Sequence, residues 1–228
     1  MQAWIEEKQL HVGAEATVTA GHWLGIPAVM KVRKPREWRH PDLDLRLTTQ
    51  RLNAEVKILN RLSYSGLPTP HLLDLDTQKT TMVTTLLNGS PLVEIFRAKD
   101  KSNKEYENIF SNIGECIRRL HRIGITHGDL TTNNMLWDSE TGISLVDFGL
   151  AKITYELEHY GLDFHLMYEC FGASHPEHSQ AMETIVRSYL NYDEVEGLPE
   201  LSKGGELPLA ENVIARFEQI KTRVRYHG

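Results

Sequence analysis

Two short acidic motifs, His127-Gly-Asp-Leu-Thr-Thr-Asn-Asn134 and Val146-Asp-Phe-Gly149, constrain this chain more than any other stretch of it. Between them, Met135-Leu-Trp137 and Ile143-Ser-Leu-Val146 read as two short strands, and Asp138-Ser-Glu-Thr-Gly142 has the residues of a tight turn. A hairpin there brings Asp147 back beside Asn134. Phosphoryl transfer asks a protein for positioning and charge neutralisation rather than covalent work. Its site therefore needs a carboxylate facing the attacking hydroxyl and oxygen ligands for magnesium. Asp129 suits the first role, and Asn134 with Asp147 the second. Either motif alone recurs by chance, but the two in order around a hairpin are not expected from a polar loop and a strand end.

The four residues between Asp129 and Asn134 match the spacing of the protein-kinase signature, and Asp147-Phe-Gly149 supplies its second metal-binding acid. That resemblance implies an α+β, bilobal protein-kinase-like fold. Residues 1–88 would form an N-terminal lobe with an antiparallel sheet and one main helix, and residues 89–228 a reduced, mostly helical catalytic lobe, together one kinase domain.

The rest of the chain accommodates this. Its 228 residues, 40% of them hydrophobic, suffice for a sizeable core, and the net charge of −6 argues against a protein that coats nucleic acid. No apolar run is long enough to span a membrane and the start lacks a signal-peptide core, so a cytoplasmic address without membrane contact is expected. Cys116 and Cys170 lie in helical-looking apolar stretches and read as small buried hydrophobes. His175-Pro-Glu-His178 has ligand-like spacing but nothing to complete a zinc site, so helix-start or surface histidines are the better reading.

Residues up to about Val32 alternate as antiparallel strands, with 21–27 read as a turn region. Gly13-Ala-Glu-Ala16 falls where a kinase has its phosphate-covering loop. Only one glycine is present and Glu15 stands at the second glycine position, so an ordinary hairpin turn is an equal reading. Lys31, at the end of the third strand, is the candidate for holding nucleotide phosphates. Leu52, Val56 and Leu59 mark an amphipathic helix over 46–62, and Glu55 on its flank is either the partner of Lys31 or a surface glutamate. Between them, 33–44 is basic and carries two prolines, which predicts a shaped loop open to a substrate or partner. A hairpin over 71–87 leads to a break at Asn88-Gly-Ser-Pro91, the place of a kinase hinge. Ile109, Ile113, Ile117 and Leu120 mark a strong helix over 105–123 ended by Gly124. Helices are expected near 162–171, 176–190 and 209–224, with a polar loop over 193–206.

At this point the chain resembles the small kinase subunit of the KEOPS (also EKC) complex, which takes part in making threonylcarbamoyl-adenosine in tRNA. The likeness runs over nearly the whole chain. It rests on Lys31, Arg33, Arg39-His-Pro41 and Leu43-Asp44, on Gly13-Ala-Glu-Ala16, on Arg51 with Glu55, on His127-Gly-Asp-Leu-Thr-Thr132 with Asn134, on Asp147-Phe-Gly-Leu150, and on Ser174-His-Pro176. Arg36 and Trp38 stand where that family has lysine and tyrosine, and the tail after Arg223 is shorter and less basic. The resemblance implies an atypical Ser/Thr protein kinase and ATPase using ATP and Mg2+. Asp129 would be catalytic and Asn134 and Asp147 would hold metal. Lys31, Glu55, Gly13, Ala14, Glu15 and Ala16 would serve the nucleotide, and Asp163 would brace the catalytic loop. The implied partners are the threonylcarbamoyl-transferase subunit, the other KEOPS subunits and, through the complex, tRNA.

Gly128 and Thr131 stand where many regulated kinases carry an arginine and a lysine, and no Ala-Pro-Glu follows Gly149, so free peptides are expected to be poor substrates. Two alternatives stay open. A small-molecule phosphotransferase of the aminoglycoside or choline type shares the two motifs but usually inserts a large helical segment, for which 88–105 has little room. A kinase-fold binding subunit active only with partners is the other. The final helix, with Arg216, Lys221, Arg223 and Arg225, reads as a solvated face or a tRNA contact.

Overall fold

A computed structural model describes residues 3–225, and the chain divides into two compact units, one ending at Leu87 and the other beginning at Asn88. The first unit is a five-stranded antiparallel sheet in the order β1-β2-β3-β5-β4, with one long helix in the connection between β3 and β4. Its strands are β1 Trp4–Val12, β2 Ala16–Trp23, β3 Ile26–Arg33, β4 Leu72–Asp76 and β5 Thr81–Thr85. The expected turn over 21–27 is shorter than its composition suggested. Leu24 and Gly25, both at positive φ, make the whole reversal, while His22 pairs with Pro27 inside the ladder. Two residues in that conformation match the strand twist, so the flanking glycine and proline stay in strands.

The helix α1, Pro41–Leu62, begins five residues before the expected 46. Proline was read as limiting a helix here, but Pro41 occupies the first turn, where a missing N–H costs nothing. Asp44 is therefore helical and buried, and it ties down the loop before it by accepting from the Arg36 N–H at 3.0 Å. The buried face of α1 carries Leu52, Ile58, Leu59 and Leu62 together with Glu55.

The second unit is mostly helical. The strand β6, Ser90–Pro91, pairs with β8, Met135–Asp138, which pairs in turn with β9, Gly142–Leu145; β7, Ile125–Thr126, pairs with β10, Lys152–Ile153. A helix not anticipated, α2 Leu92–Ala98, follows β6 at once. The helix α3, Asn103–Arg122, starts two residues before Glu105 because Ser102 and Glu105 form a reciprocal capping box. Its stripe of Ile109, Ile113, Ile117 and Leu120 is fully buried. Then come α4 Leu157–Ser174, a 3-10 turn Pro176–His178, α5 Ala181–Glu196, α6 Glu200–Lys203 and α7 Ala210–Arg225. The polar loop expected from 193 is in fact helical at both Asp193 and α6. Asp193 extends α5 because Arg118 and Arg122 of α3 converge on its carboxylate at 2.5 and 2.6 Å. No described helix is long and apolar enough to cross a membrane.

Candidate active site

The two candidate motifs of the second unit lie on a loop whose backbone is held from below. The helix α3 ends at Arg122, a turn through Gly124 leads into β7, and the chain enters His127–Asn134 without regular structure. Two consecutive amides in that loop, of His127 and Gly128, donate to the two oxygens of Asp163 at 2.7 and 2.8 Å. Asp163 is fully buried on α4, so these bonds are shielded from competing water. Gly128 has φ +77°, and a Cβ there would lie 2.5 Å from the Leu150 carbonyl oxygen. No other residue fits, which gives a steric reason for the missing arginine.

Behind Asp163 the buried network continues. His121 Nε2 lies 3.2 Å from Asp163 and its Nδ1 lies 2.9 Å from the Tyr189 hydroxyl, which also accepts from Arg118 at 3.3 Å. With Tyr189 donating to Nδ1, the proton of a neutral His121 belongs on Nε2, facing the carboxylate. Burial pushes His121 below its ordinary 6.5, against the pull of Asp163.

Within the loop, Asn134 Nδ2 donates to the Asp129 carboxylate at 2.8 Å and to the Asp129 carbonyl at 2.9 Å. The amide nitrogen is thereby engaged, so Asn134 Oδ1 is the atom left for a cation. His127 joins the two motifs: its Nδ1 accepts from the Asp129 N–H at 3.3 Å and its Nε2 faces the Val146 carbonyl at 3.1 Å. The hairpin of β8 and β9 closes around Asp138, whose Oδ1 accepts from the Glu140 and Thr141 amides. It brings the strand end back so that Val146 N–H donates to the Asn134 carbonyl at 3.0 Å. Asp147 follows at φ +59°, exposed, while Phe148 turns inward against the His127 ring with centroids 5.0 Å apart. Among the described residues no three His, Cys, Asp or Glu side chains gather around a metal position. A magnesium held by Asn134, Asp147 and nucleotide phosphates requires none, since that ion keeps few protein ligands.

The candidates of the first unit are also brought together. Glu55, only 3% exposed, is not a surface residue. Its Oε1 accepts from Lys31 Nζ at 3.2 Å and its Oε2 from Arg33 at 2.7 Å. Lys31 lies within β3, two residues short of its end, rather than closing it. Gly13-Ala-Glu-Ala16 forms the turn between β1 and β2, with Gly13 N–H donating to Ala16 O at 2.9 Å. Glu15 points its carboxylate at Arg36 and at Arg51.

A family model described as "Protein kinase domain" matches residues 7–171. The chain belongs to the protein-kinase family. Among curated relatives of this kinase, a "Probable bifunctional tRNA threonylcarbamoyladenosine biosynthesis protein" of Methanosarcina acetivorans is 30% identical over 96% of this chain and 36% of its own length. An "EKC/KEOPS complex subunit bud32" of Dictyostelium discoideum is 28% identical over 78% of this chain and 72% of its own, and a "BUD32" subunit of Chaetomium globosum is 29% identical over 72% and 73%. The kinase spans about a third of the length of the bifunctional relatives it matches.

Three features escaped the sequence reading. Arg33 shares Glu55 with Lys31, and the signal was available: residues two apart on a strand face the same side. His121, Tyr189 and Arg118 carried no signal, being single polar residues on apolar helix faces. His175, expected at a helix start or on the surface, does open the 3-10 turn but is buried, with Nε2 2.9 Å from the Thr132 hydroxyl of the His127–Asn134 loop. The thiols are unpaired. Cys116 is buried as expected, which pushes it up to about 12, and Cys170 is half-buried.

Proposed function

We propose that this kinase is an atypical ATP-dependent phosphotransferase and ATPase that works with the other subunits of a KEOPS complex in threonylcarbamoyl-adenosine formation on tRNA. The observation that carries the chemistry is the Asp129 to Asn134 hydrogen bond in a loop whose backbone is fastened to Asp163. Asp129 has one oxygen engaged by Asn134 and is half-buried, a setting that suits orienting an attacking hydroxyl or water. Asn134 Oδ1 and Asp147 would hold magnesium, which neutralises charge on the transferred phosphoryl group when bound. Lys31 would contact the nucleotide phosphates, with Glu55 orienting its ammonium, and the Gly13 to Ala16 turn would cover them. Residues 1–88 and 89–228 would be the lobes of one catalytic domain. The likeness to KEOPS-complex subunits and to bifunctional threonylcarbamoyladenosine biosynthesis proteins supports these partners.

ATP hydrolysis is favoured over phosphorylation of free peptides by one observation. The helix α4 begins at Leu157, so only the short segment 150–156, carrying β10, separates it from Gly149. That leaves little chain for a peptide-docking platform.

The test follows the γ-phosphate of labelled ATP with magnesium, for wild type and Asp129→Asn, alone and with the transferase subunit and tRNA. Turnover is expected to fall about 10²- to 10⁴-fold in the variant while its melting temperature holds. Wild-type turnover in the variant would remove Asp129 from the mechanism. Label on protein would make the activity a kinase, free phosphate an ATPase.

A further inference from the structure

Within the first unit, a pocket of about 370 Å³ opens among the β1–β2 turn, the loop after β3 and the outer face of α1. Its charged lining is Arg33, Lys34, Arg36, Arg39 and Arg51 against the single carboxylate of Glu15. In a chain whose net charge is −6, five cations facing one acid is a local reversal of sign. Nearby carboxylates do not cancel it. Asp44 is 3.6 Å from Arg39 and Glu55 serves Arg33, but Glu55 also serves Lys31.

Two details indicate what the surplus is for. The Glu15 carboxylate already sits where two guanidinium groups converge, Arg36 on one oxygen and Arg51 on the other at 3.2 Å, which is how arginines hold an oxyanion. Glu15 is more than half exposed, so these ion pairs are weak and displaceable. Deeper in, Arg33 is 8% exposed and its Nε is buried with no hydrogen-bond partner. A buried donor without an acceptor calls for a ligand that supplies one.

We propose that this pocket binds a phosphate dianion, free or carried on a phosphorylated side chain, which displaces Glu15 from Arg36 and Arg51, and that Arg33 relays its occupancy to Glu55. Phosphate brings three acceptor oxygens and nearly twice the charge of a carboxylate, so it outcompetes Glu15 at the same donors. Arg36 from the loop after β3 and Arg51 from α1 meet on one carboxylate, that of Glu15, which fits a compact dianion better than a strand of spaced phosphates. As the anion draws on Arg33, Glu55 is left to Lys31 alone and grips it more tightly. Lys31 is then held more firmly in the orientation that meets nucleotide phosphates, and nucleotide affinity rises. The relay rests on the proposed role of Lys31; the anion site does not.

The experiment titrates the full chain with inorganic phosphate by equilibrium dialysis and with phosphoserine and serine peptides by fluorescence polarisation. A labelled ATP analogue reports nucleotide affinity in parallel. Saturable phosphate binding is expected, weakened about tenfold or more in Arg36→Met/Arg51→Met at unchanged melting temperature. Comparable affinity for phosphate and the phosphopeptide would identify the free anion as ligand, and a clear preference for the phosphopeptide would identify a phosphorylated chain. Phosphate is expected to strengthen nucleotide binding several-fold in wild type but not in Arg36→Met/Arg51→Met or Arg33→Met. Undiminished anion binding in the double variant, or tighter binding of a single-stranded oligonucleotide than of either phosphate ligand, overturns the site. Weakening of nucleotide binding by phosphate is direct competition, and strengthening that persists in both variants arises elsewhere; either overturns the relay. If wild type binds anion but no nucleotide, the proposed function and the relay fail while the anion site stands.

Discussion

The candidate catalytic loop of the second unit and the Lys31–Glu55 cluster of the first are held by different means. Around the loop the anchors are buried and largely peptide-directed: Asp163 accepts two backbone amides, and His121, Tyr189 and Arg118 stand behind it. Around Glu55 the anchors are ions, with two cations on one carboxylate and further pairs at Glu15 reaching the surface. Buried, satisfied networks resist solvent and salt, whereas ion pairs near the surface respond to both. The comparison implies a candidate catalytic loop that stays assembled and, beside the buried Lys31–Glu55 pair, a rim of ion pairs at Glu15 that can be tuned.

The largest effect that would sharpen this contrast is expected from Asp163→Ala. It leaves the His127 and Gly128 amides and His121 Nε2 without their acceptor, so urea unfolding should show a loss of about 3 kcal/mol, with turnover falling as the loop loosens. A loss below about 1 kcal/mol would mean the loop does not depend on this anchor.

Next comes acidification. Burial holds His121 and His127 below their ordinary 6.5. Below that pH the unfolded chain takes up protons that the folded chain refuses. Stability should therefore be full above 6.5 and fall as pH drops toward 5, by up to about 1.4 kcal/mol per unit for each histidine. Chemical denaturation across this range, with His121→Gln showing a shallower slope, checks the sign and its source. A flat profile would contradict the buried neutral network.

Glu55→Gln probes the other region. Losing the shared charge should weaken nucleotide binding about tenfold, read by titration with a labelled analogue, because Lys31 is no longer held in place. An unchanged affinity would break the link between Glu55 and the nucleotide. The smallest effect is expected from Glu15→Gln, less than about 1 kcal/mol in unfolding free energy and smaller still at high salt. A larger, salt-independent loss would put Glu15 with the buried anchors and blur the contrast.

Much of this was legible in the residues themselves. Periodicity marked α3 through Ile109, Ile113, Ile117 and Leu120, and the turn chemistry of Asp138 to Gly142 marked the hairpin that returns the chain from Asn134 to Asp147. The spacing of Asp129, Asn134 and Asp147 suggested the chemistry proposed above, and Asp163 was expected as a brace. These are local signals, carried by neighbours a few residues apart.

Tertiary structure alone decided who holds whom. Glu55 meets Arg33 across 22 positions, His121 meets Asp163 across 42, and Arg118 meets Asp193 across 75. The same is true of the helical start at Pro41 and of His175 beneath Thr132. No periodicity carries such pairings. They follow from which helix faces and strand edges bury one another, and from the rule that a charge or N–H taken out of water must find a partner there.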